Sequence, residues 1–568
     1  MSNIPFGIRQ EDILQNTEKD PRVRRFMTPR RVVWQSEGVT GAEHMLVPVE
    51  KQVHFNVPRM MVLQSTDKPA SVLLDFGVEF HGYVKLFIEQ GDTPRAQIRV
   101  RFGESAQEAM AELGGEQNAT NDHINRDQVF DVGFLSMPEI GPSGFRFVRI
   151  DLLTPNANLS FKAVTGIFVY RELEYKGSFN SSDALLNQIW NTAAYTVHLN
   201  MQEYVWDGIK RDRLVWIGDI HPEVSTIQAV FGFDESVKKS LDLARDESPL
   251  PRMMCGITTY SLWWVLVHYI WYMQNGDLAY LQEQQTYLCA LMKLFAGYVD
   301  ENGNETLDGF RFVDWPSEGD AVAIHAGLQG ILCMGLEAGG KLCRILGEDD
   351  VAELCEAKVA QLRDAGVPDT NGNKRAAAML LLSGIAKGAD ADALVKMIKE
   401  TGAQGMSTFL GFYVLNALSE QKETTAALDI IRTFWGAMLS RGATTFWEDF
   451  NMDWLEGSGR IDELVKPGEK DLHGDYGAYC YKGFRHSLCH GWASGPAAYL
   501  SRYVLGIEVL EPGCKKVRIC PDLGDLTFAE GTYPTPYGVI RVRHEKDEAG
   551  KIVSEIDAPA EVEIVRSL

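Results

Sequence analysis

The hydrophobic period of this chain changes twice, and that change constrains the fold more than any other feature of the sequence. From about residue 30 to 175 apolar and polar residues alternate, as they do over 97–102, and glycine and proline interrupt the pattern at turn spacing. From Asp183 onward the apolar residues recur at helical spacing, and after Gly513 the alternation returns. The sequence therefore predicts a β-region, a long α-region and a second β-region.

We interpret the first region as a β-sandwich and the last as a smaller β-sandwich. Between them, helices joined by short loops fit a barrel of helical hairpins, an (α/α)6 toroid, better than one four-helix bundle. A solenoid of helical hairpins is the alternative, and the absence of a visible repeat period favours the toroid over it. The predicted domains are 1–178, 179–508 and 509–568. After the predicted cap at Ser181, Ser182 and Asp183, helices are predicted near 222–231, 258–275, 278–298, 323–346, 349–364, 374–400, 405–418, 423–439 and 484–505.

Composition excludes several classes of protein. With 568 residues, 45% of them hydrophobic and 23% charged, the chain resembles a soluble enzyme of several folding units, and its apolar runs are too short for a membrane span. The net charge of −23 argues against nucleic acid or an anionic membrane as a partner, because a phosphate-binding face needs a cationic field. A neutral or weakly charged ligand is the partner we expect.

The sequence gives no sign of a cofactor or of export. Nine cysteines without a C-x-x-C pair argue against a zinc site or a disulfide framework. Neither a glycine-rich phosphate loop nor a metal-spaced set of His, Cys and Glu appears, so we expect no cofactor. The first residues contain no cationic segment followed by an apolar one. We therefore expect a cytoplasmic protein, or a secreted or periplasmic one if a leader has been removed.

One short segment, 206–219, combines acidic, basic and aromatic residues at unusual density. Indoles stack on sugar rings, carboxylates bind hydroxyls or move protons, and arginines fix the orientation and charge of carboxylates. The segment therefore predicts a carbohydrate-cleaving site. A structural ion-pair network at a helix end, with the tryptophans in the core, is the alternative. The residues concerned are Trp206, Asp207, Lys210, Arg211, Asp212, Arg213, Trp216 and Asp219.

A second segment, 443–454, again places carboxylates between tryptophans, and Glu448 directly follows Trp447 in it. Two such segments suggest two walls of one cleft. The alternative for Glu448 is an acidic residue at a helix N-terminus. Two more places are candidates for the sugar pocket. Each combines an aromatic residue with a polar one: Asp314 with Trp315, and His490 with Trp492.

These two segments, in this order within a β–α–β chain, resemble the α-L-rhamnosidases of glycoside hydrolase family 78. The resemblance implies a six-hairpin (α/α)6 barrel and an inverting, exo-acting hydrolase that releases terminal α-L-rhamnose or a related deoxy sugar from a rhamnosyl oligosaccharide or glycoside. The matching residues of the first segment are Asp207, Asp212, Trp216, Gly218 and Asp219; those of the second are Thr444, Thr445, Phe446, Trp447 and Glu448.

The resemblance also implies a role for each acidic residue. Asp212 is expected to be the general acid and Glu448 the general base, with the carboxyl groups about 6.5 to 9.5 Å apart. The family usually has glutamate where this chain has Asp212, which is shorter, so the backbone lies closer to the substrate, the substrate differs, or catalysis has been lost. The residues expected to bind substrate are Asp207, Arg211, Trp216, Asp219, Asp314, Trp315, Trp447, His490 and Trp492.

Two other functions are compatible with these residues. The first is a sugar-binding or scaffolding protein that kept the barrel and lost the acid. The second is a six-hairpin glycosidase for uronic acids, which Lys210, Arg211 or Arg213 pointing into the cleft would indicate. For Asp219, a helix cap is the structural alternative to binding sugar hydroxyls.

Overall fold

The order of the secondary-structure elements follows the predicted change of period. The computed structural model describes residues 19–48, 52–53, 59–123 and 125–566. Strands come first, helices occupy the middle and strands return at the end. The predicted multidomain β plus α architecture is therefore confirmed, while the exact domain boundaries stay a prediction.

The N-terminal region is a bent antiparallel sheet. Its strands are β1 (Arg22–Met27), β2 (Arg31–Gln35), β3 (Val39–Thr40), β4 (Met61–Gln64), β5 (Ala70–Gly91), β6 (Ala96–Gly103), β7 (Asp127–Val132), β8 (Glu139–Leu152) and β9 (Asn158–Arg171). The order is β3-β4-β9-β5-β8-β6-β7, with β1 added to β9 and β2 to β5. The long strand β5 changes register with both β8 and β9, and such irregularities let a strand bend. One hydrogen-bonded sheet thereby encloses one apolar core.

Helices occupy the middle of the chain, after a short helix α1 (Ala106–Met110) within the β-region. They are α2 (Ala184–Asn200), α3 (Ile220–Val230), α4 (Glu235–Asp246), α5 (Thr258–Asn275), α6 (Leu278–Ala296), α7 (Ala321–Ile345), α8 (Asp349–Asp364), α9 (Lys374–Leu382), α10 (Gly388–Thr401), α11 (Gly411–Glu420), α12 (Thr424–Ser440) and α13 (Gly495–Tyr499). Asp183 caps α2 as predicted, because its carboxylate accepts the backbone N–H groups of Leu185 and Leu186.

Three predicted helices differ from the structure, and α4 was not among the predicted helices. The helix expected over 405–418 begins only at Gly411. The single helix expected over 374–400 is divided into α9 and α10, and both Gly384 and Gly388, which flank the break, have positive φ. The helix expected over 484–505 begins only at Gly495, since the residues before it form loops and short 3₁₀ turns. Those loops carry part of the site described below.

Alternate helices contact one another in sequence. α3 contacts α5, α5 contacts α7, α7 contacts α9, α9 contacts α11, α11 contacts α13, and α13 contacts α3. The segments that precede α3, α5, α7 and α13 meet at one end of this group. α7 is long and apolar enough to cross a membrane, but 67% of the qualifying stretch is buried inside the protein, as in a core helix.

The C-terminal region consists of two small sheets. Their strands are β10 (Ser178–Ser181), β11 (Ile507–Glu511), β12 (Lys516–Ile519), β13 (Phe528–Thr535), β14 (Gly538–Lys546), β15 (Ile552–Asp557) and β16 (Glu563–Arg566). One sheet has the order β10-β13-β14-β15 and the other β11-β12-β16. β10 precedes all the helices of the middle region, so this sheet takes a strand from the opposite end of that region.

Candidate active site

A pocket of about 420 Å³ lies where α3 and α5 begin. One wall comes from the loop between α2 and α3, and the opposite wall comes from the long loop between α12 and α13. The two loops are joined by backbone: Gly208 pairs with His490 in an isolated bridge, and Gly491 N–H donates to the carbonyl of Asp207 at 2.8 Å. The predicted residues that line this pocket are Asp207, Arg211, Asp212, Trp216, Asp219, Trp315, Glu448, His490 and Trp492.

Arg211 connects the two carboxylates expected to catalyse. Its Nη1 donates to Asp212 Oδ1 at 3.0 Å and its Nη2 donates to Glu448 Oε1 at 2.6 Å. Its Nε donates to the carbonyl of Arg485 at 2.7 Å, which fixes the plane of the guanidinium. A planar donor held in this way sets both the orientation and the charge of its carboxylate partners.

Glu448 lies in a loop and is buried. Its Oε2 accepts the backbone N–H of Ser487 at 3.0 Å, and His490 Nδ1 lies 4.0 Å from its Oε1. Burial opposes ionisation, but the positive charges of Arg211 and the nearby histidines outweigh it, so the pKa of Glu448 is lowered from its usual value. The alternative of an acidic residue at a helix N-terminus does not hold for Glu448, because no helix starts there.

Asp212 lies at the edge of the pocket with φ of 53°, in the left-handed region that non-glycine residues rarely adopt. Its Oδ2 accepts the indole N–H of Trp216 at 3.2 Å, and its Oδ1 lies 2.6 Å from Nδ1 of His123. Together with Arg211, these contacts hold the carboxyl group of Asp212 at the pocket edge.

Asp207 and Asp219 are buried more deeply in the same pocket. Burial raises the pKa of Asp207 well above its usual value and also raises the pKa of Asp219. Asp219 stands at the start of α3 but makes no side-chain capping bond. Instead it accepts the hydroxyl of Tyr260 at 3.0 Å and contacts His490 Nε2 at 3.2 Å. The capping role considered for Asp219 is therefore not the role that the structure gives it.

Two residues expected to bind substrate lie outside the pocket lining. The ring of Trp447 is buried in the core and packs edge-on against Phe450, with centroids 5.6 Å apart. Asp314 accepts from Ser317 N–H at 3.1 Å and Ser407 Oγ at 3.1 Å, and it lines a neighbouring void of about 10 Å³. The void is too small for a sugar ring. The carboxylate of Asp314 instead stabilises the turn that contains Ser317. Neither side chain therefore lines the pocket as expected.

Several residues that line the pocket were not predicted from the sequence. His123 comes from the N-terminal β-region, in the loop before β7, and no local motif marks it. Tyr260 lies in α5, and its hydroxyl reaches Asp219. The remaining residues that line the pocket and were not predicted are Cys255, Gly256, Ile257, Phe310, Cys480, Tyr481 and Arg485.

The cations of the first segment point in different directions. Lys210 points away from the pocket and lies 3.0 Å from Glu104 and 3.3 Å from Glu108 of the β-region. Arg213 donates to the carbonyl of His123 at 3.2 Å. Glu104, Glu108 and His473 have ligand atoms within 4.8 Å of one another, a spacing that would suit a metal ion. The ammonium group of Lys210 already supplies positive charge to two of them.

A larger cavity of about 590 Å³ lies at the C-terminal ends of α3, α5 and α11. Its lining includes Tyr269, Tyr503 and Tyr533 but none of the predicted site residues. Size therefore does not identify the reactive site. The carboxylates joined by Arg211 lie in the smaller pocket.

Two parts of this chain match known protein families. Residues 174–334 match the bacterial alpha-L-rhamnosidase six-hairpin glycosidase domain, and residues 506–566 match the bacterial alpha-L-rhamnosidase C-terminal domain. An alpha-L-rhamnosidase of Formosa agariphila is 23% identical over 91% of this chain and 58% of its own length. The chain therefore spans less than two thirds of that curated relative.

Solved structures share the fold. A family 78 rhamnosidase of Bacillus sp. GL1 superposes with a TM-score of 0.73 at 22% identity, over 90% of this chain and 55% of the other. A rhamnosidase of Klebsiella oxytoca with rhamnose bound superposes with a TM-score of 0.67 at 21% identity, over 85% and 96%. The resemblance of this chain to the α-L-rhamnosidases of glycoside hydrolase family 78, first indicated by its two acidic and aromatic segments, is thus confirmed.

Proposed function

We propose that the protein is an inverting, exo-acting glycoside hydrolase that releases terminal α-L-rhamnose or a related deoxy sugar. The observation that carries this proposal is the pair Asp212 and Glu448, both held by Arg211 at the wall of a pocket of about 420 Å³. That volume lies in the range of small-molecule sites. The names of the matching families and relatives support the sugar class.

We propose that the helical region is an (α/α)6 barrel preceded by a β-sandwich. The contacts of α3, α5, α7, α9, α11 and α13, each with the next and the last with the first, support an inner ring of six helices. The pocket then lies at the mouth of the ring. Residues 1–178, 179–508 and 509–568 remain our proposed domains.

Glu448 is the proposed general base. It takes a proton from water as the water oxygen attacks the anomeric carbon, and the glycosidic bond breaks on the opposite side. A base must be ionised to act, and Arg211 favours the ionised form of Glu448 despite burial. Water held between the base and the sugar would give the inverted anomer.

The proton for the departing oxygen comes from Asp212 or from Asp207. The family resemblance favours Asp212, which lies at the pocket edge. Arg211, Trp216 and His123 hold its carboxyl group at that position. Burial raises the pKa of Asp207 well above the usual range, so Asp207 is the second candidate. The other candidate then binds sugar hydroxyls, as does Asp219.

A neutral sugar fits the charges around the pocket better than a uronic acid. Among the described lining residues, Arg211 is paired with two carboxylates, and Arg485 is paired with Asp122 at 2.6 Å. Lys210 and Arg213 do not line the pocket. A substrate carboxylate would thus lack an unpaired arginine or lysine partner in this part of the chain.

The test is hydrolysis of two rhamnosides that differ in the leaving group. p-Nitrophenol departs without a proton donor, whereas methanol requires one. The variant that removes the acid, Asp212→Asn or Asp207→Asn, should lose far more activity on methyl α-L-rhamnoside than on p-nitrophenyl α-L-rhamnoside. Glu448→Gln should lose activity on both. Equal losses on both substrates in both aspartate variants would contradict the assignment of an acid to this pair.

A saccharide-binding protein without hydrolytic activity is the second candidate function. The short side chain of Asp212 favours this alternative, because it reaches less far toward a glycosidic oxygen than the glutamate usual in the family. Calorimetry with L-rhamnose, run beside the hydrolysis assays, separates the two. Binding of rhamnose by a wild-type protein that cleaves neither rhamnoside would establish the binding function.

A further inference from the structure

We propose that Glu104, in the N-terminal β-region, is a positioning residue that holds both active-site loops in place. Its kinetic consequences rest on the function proposed above, whereas its structural consequences do not. Glu104 follows β6 and precedes α1, and it is fully buried between the β-region and the helical region. It does not line the pocket.

The first contact is with the loop between α12 and α13. Glu104 Oε2 accepts the backbone N–H of Leu488 at 2.6 Å, and Oε1 accepts the hydroxyl of Ser487 at 3.3 Å. Ser487 in turn donates its backbone N–H to Glu448 Oε2 at 3.0 Å. One residue therefore separates Glu104 from the proposed base.

The second contact is with the loop between α2 and α3. Lys210 Nζ lies 3.0 Å from Glu104 Oε2 and donates to the carbonyls of Phe484 and His486 at 2.7 and 2.5 Å. Lys210 directly precedes Arg211, whose guanidinium holds the two pocket carboxylates. Glu104 and Lys210 therefore fix the two loops relative to each other from behind the pocket.

The charges around Glu104 make a purely stabilising role a poor explanation. Burial raises the pKa of Glu104 to about 7, against the opposing effect of Lys210, and the neighbouring carboxyl group of Glu108 acts in the same direction as burial. His473 lies 3.9 Å from Glu108 at the same place. Buried ionic groups of this kind are often no more stabilising than apolar residues of similar size. We infer that the buried charged groups around Glu104 maintain the relative positions of the two loops.

The experiment compares Glu104→Gln with Asp151→Asn by hydrogen exchange and by kinetics. Asp151 is a matched control because it is also buried in the β-region, and its partners Arg101 and Arg149 belong to β6 and β8. Glu104→Gln should accelerate exchange several-fold over 484–490. Asp151→Asn should leave that segment unchanged while lowering the unfolding temperature.

On p-nitrophenyl α-L-rhamnoside, Glu104→Gln should lower kcat by about 10- to 100-fold, since a displacement near 1 Å costs about that much. KM should change less than kcat. The acid limb of the pH profile should move to higher pH, because the hydrogen bond from Ser487 N–H to Glu448 is no longer held in place. Asp151→Asn should retain wild-type kcat and pH profile.

Unchanged exchange over 484–490 in folded Glu104→Gln would overturn the proposal, as would the same acceleration in Asp151→Asn. If the single variant does not fold, Glu104→Gln combined with Lys210→Met removes both buried charges. That double variant should fold and still show fast exchange and low kcat. A wild-type protein that cleaves no rhamnoside would contradict the proposed release of rhamnose, while the exchange data would still decide the role of Glu104.

Discussion

Arg211 contacts Asp212 and Glu448 at once, with its two terminal nitrogens 3.0 and 2.6 Å from their oxygens. The two loops that carry these carboxylates are far apart in the sequence, and this guanidinium joins them at the pocket. A single cation thereby controls the ionisation of one carboxylate and the orientation of both. Mutation of Arg211 should change pH dependence as well as rate.

Arg211→Gln should shift the acid limb of kcat/KM to higher pH and lower kcat by about 100-fold. Arg211 lowers the pKa of Glu448 against burial, which raises it. With the positive charge gone, burial dominates and the base becomes protonated at a higher pH. Arg213→Gln is the control, because Arg213 contacts His123 and does not line the pocket. An unshifted acid limb in Arg211→Gln would be evidence against this coupling.

The first product of hydrolysis should be β-L-rhamnose from an α-L-rhamnoside. Inversion follows if water lies between Glu448 and the anomeric carbon on the face opposite the leaving group. Proton NMR during the first minutes of reaction distinguishes the anomers before they equilibrate. Initial formation of the α-anomer would mean that Glu448 is not acting as a base toward water.

His123→Ala should reduce kcat by about 10-fold with little change in the unfolding temperature. His123 Nδ1 lies 2.6 Å from Asp212 Oδ1 and helps to hold that carboxyl group in place, yet the side chain of His123 is 35% exposed and contributes little to the core. His44→Ala is a matched control, because His44 belongs to the same β-region and its side chain is 32% exposed. Equal kcat values for the two variants would mean that His123 does not position Asp212.

Gly491→Ala should destabilise the protein by about 1 to 3 kcal/mol and reduce activity. A Cβ atom at this position would lie 2.3 Å from Cδ of Glu223, whose carboxyl group is fully buried below the pocket. Gly133→Ala provides the comparison, because the Cβ added there would come no closer than 3.6 Å to Pro94. Thermal unfolding of both variants measures the difference. Similar unfolding temperatures would show that Glu223 can move aside.

Local patterns predicted much of the fold. The cap at Asp183 and the bounds of α5 and α8 follow from short-range sequence signals, and the structure agrees with them. The break between α9 and α10 was missed because apolar spacing continued through it, although Gly384 and Gly388 were visible as possible stops. Periodicity alone cannot reveal where a helix ends if its apolar face continues into the next helix.

The site was predictable where the two segments carried it and unpredictable where tertiary contacts decided it. The density of acidic and aromatic residues in the two segments indicated Asp207, Asp212 and Glu448, and all three line one pocket. The same reasoning placed Trp447 in the pocket, but an indole beside an acid is equally suited to the core. His123 and Glu104 come from the β-region, and no sequence signal tells which of its loops reaches the helical region.

The pairing of β10 with β13 has a consequence for synthesis of the chain. Residues 178–181 leave the ribosome long before residues 528–535, with which they form hydrogen bonds. Domains generally fold as units in the order in which they are translated, but this sheet cannot close until almost the whole polypeptide has emerged. Ser178–Ser181 therefore stays without its partner strand through most of translation, and the C-terminal strands complete the fold last.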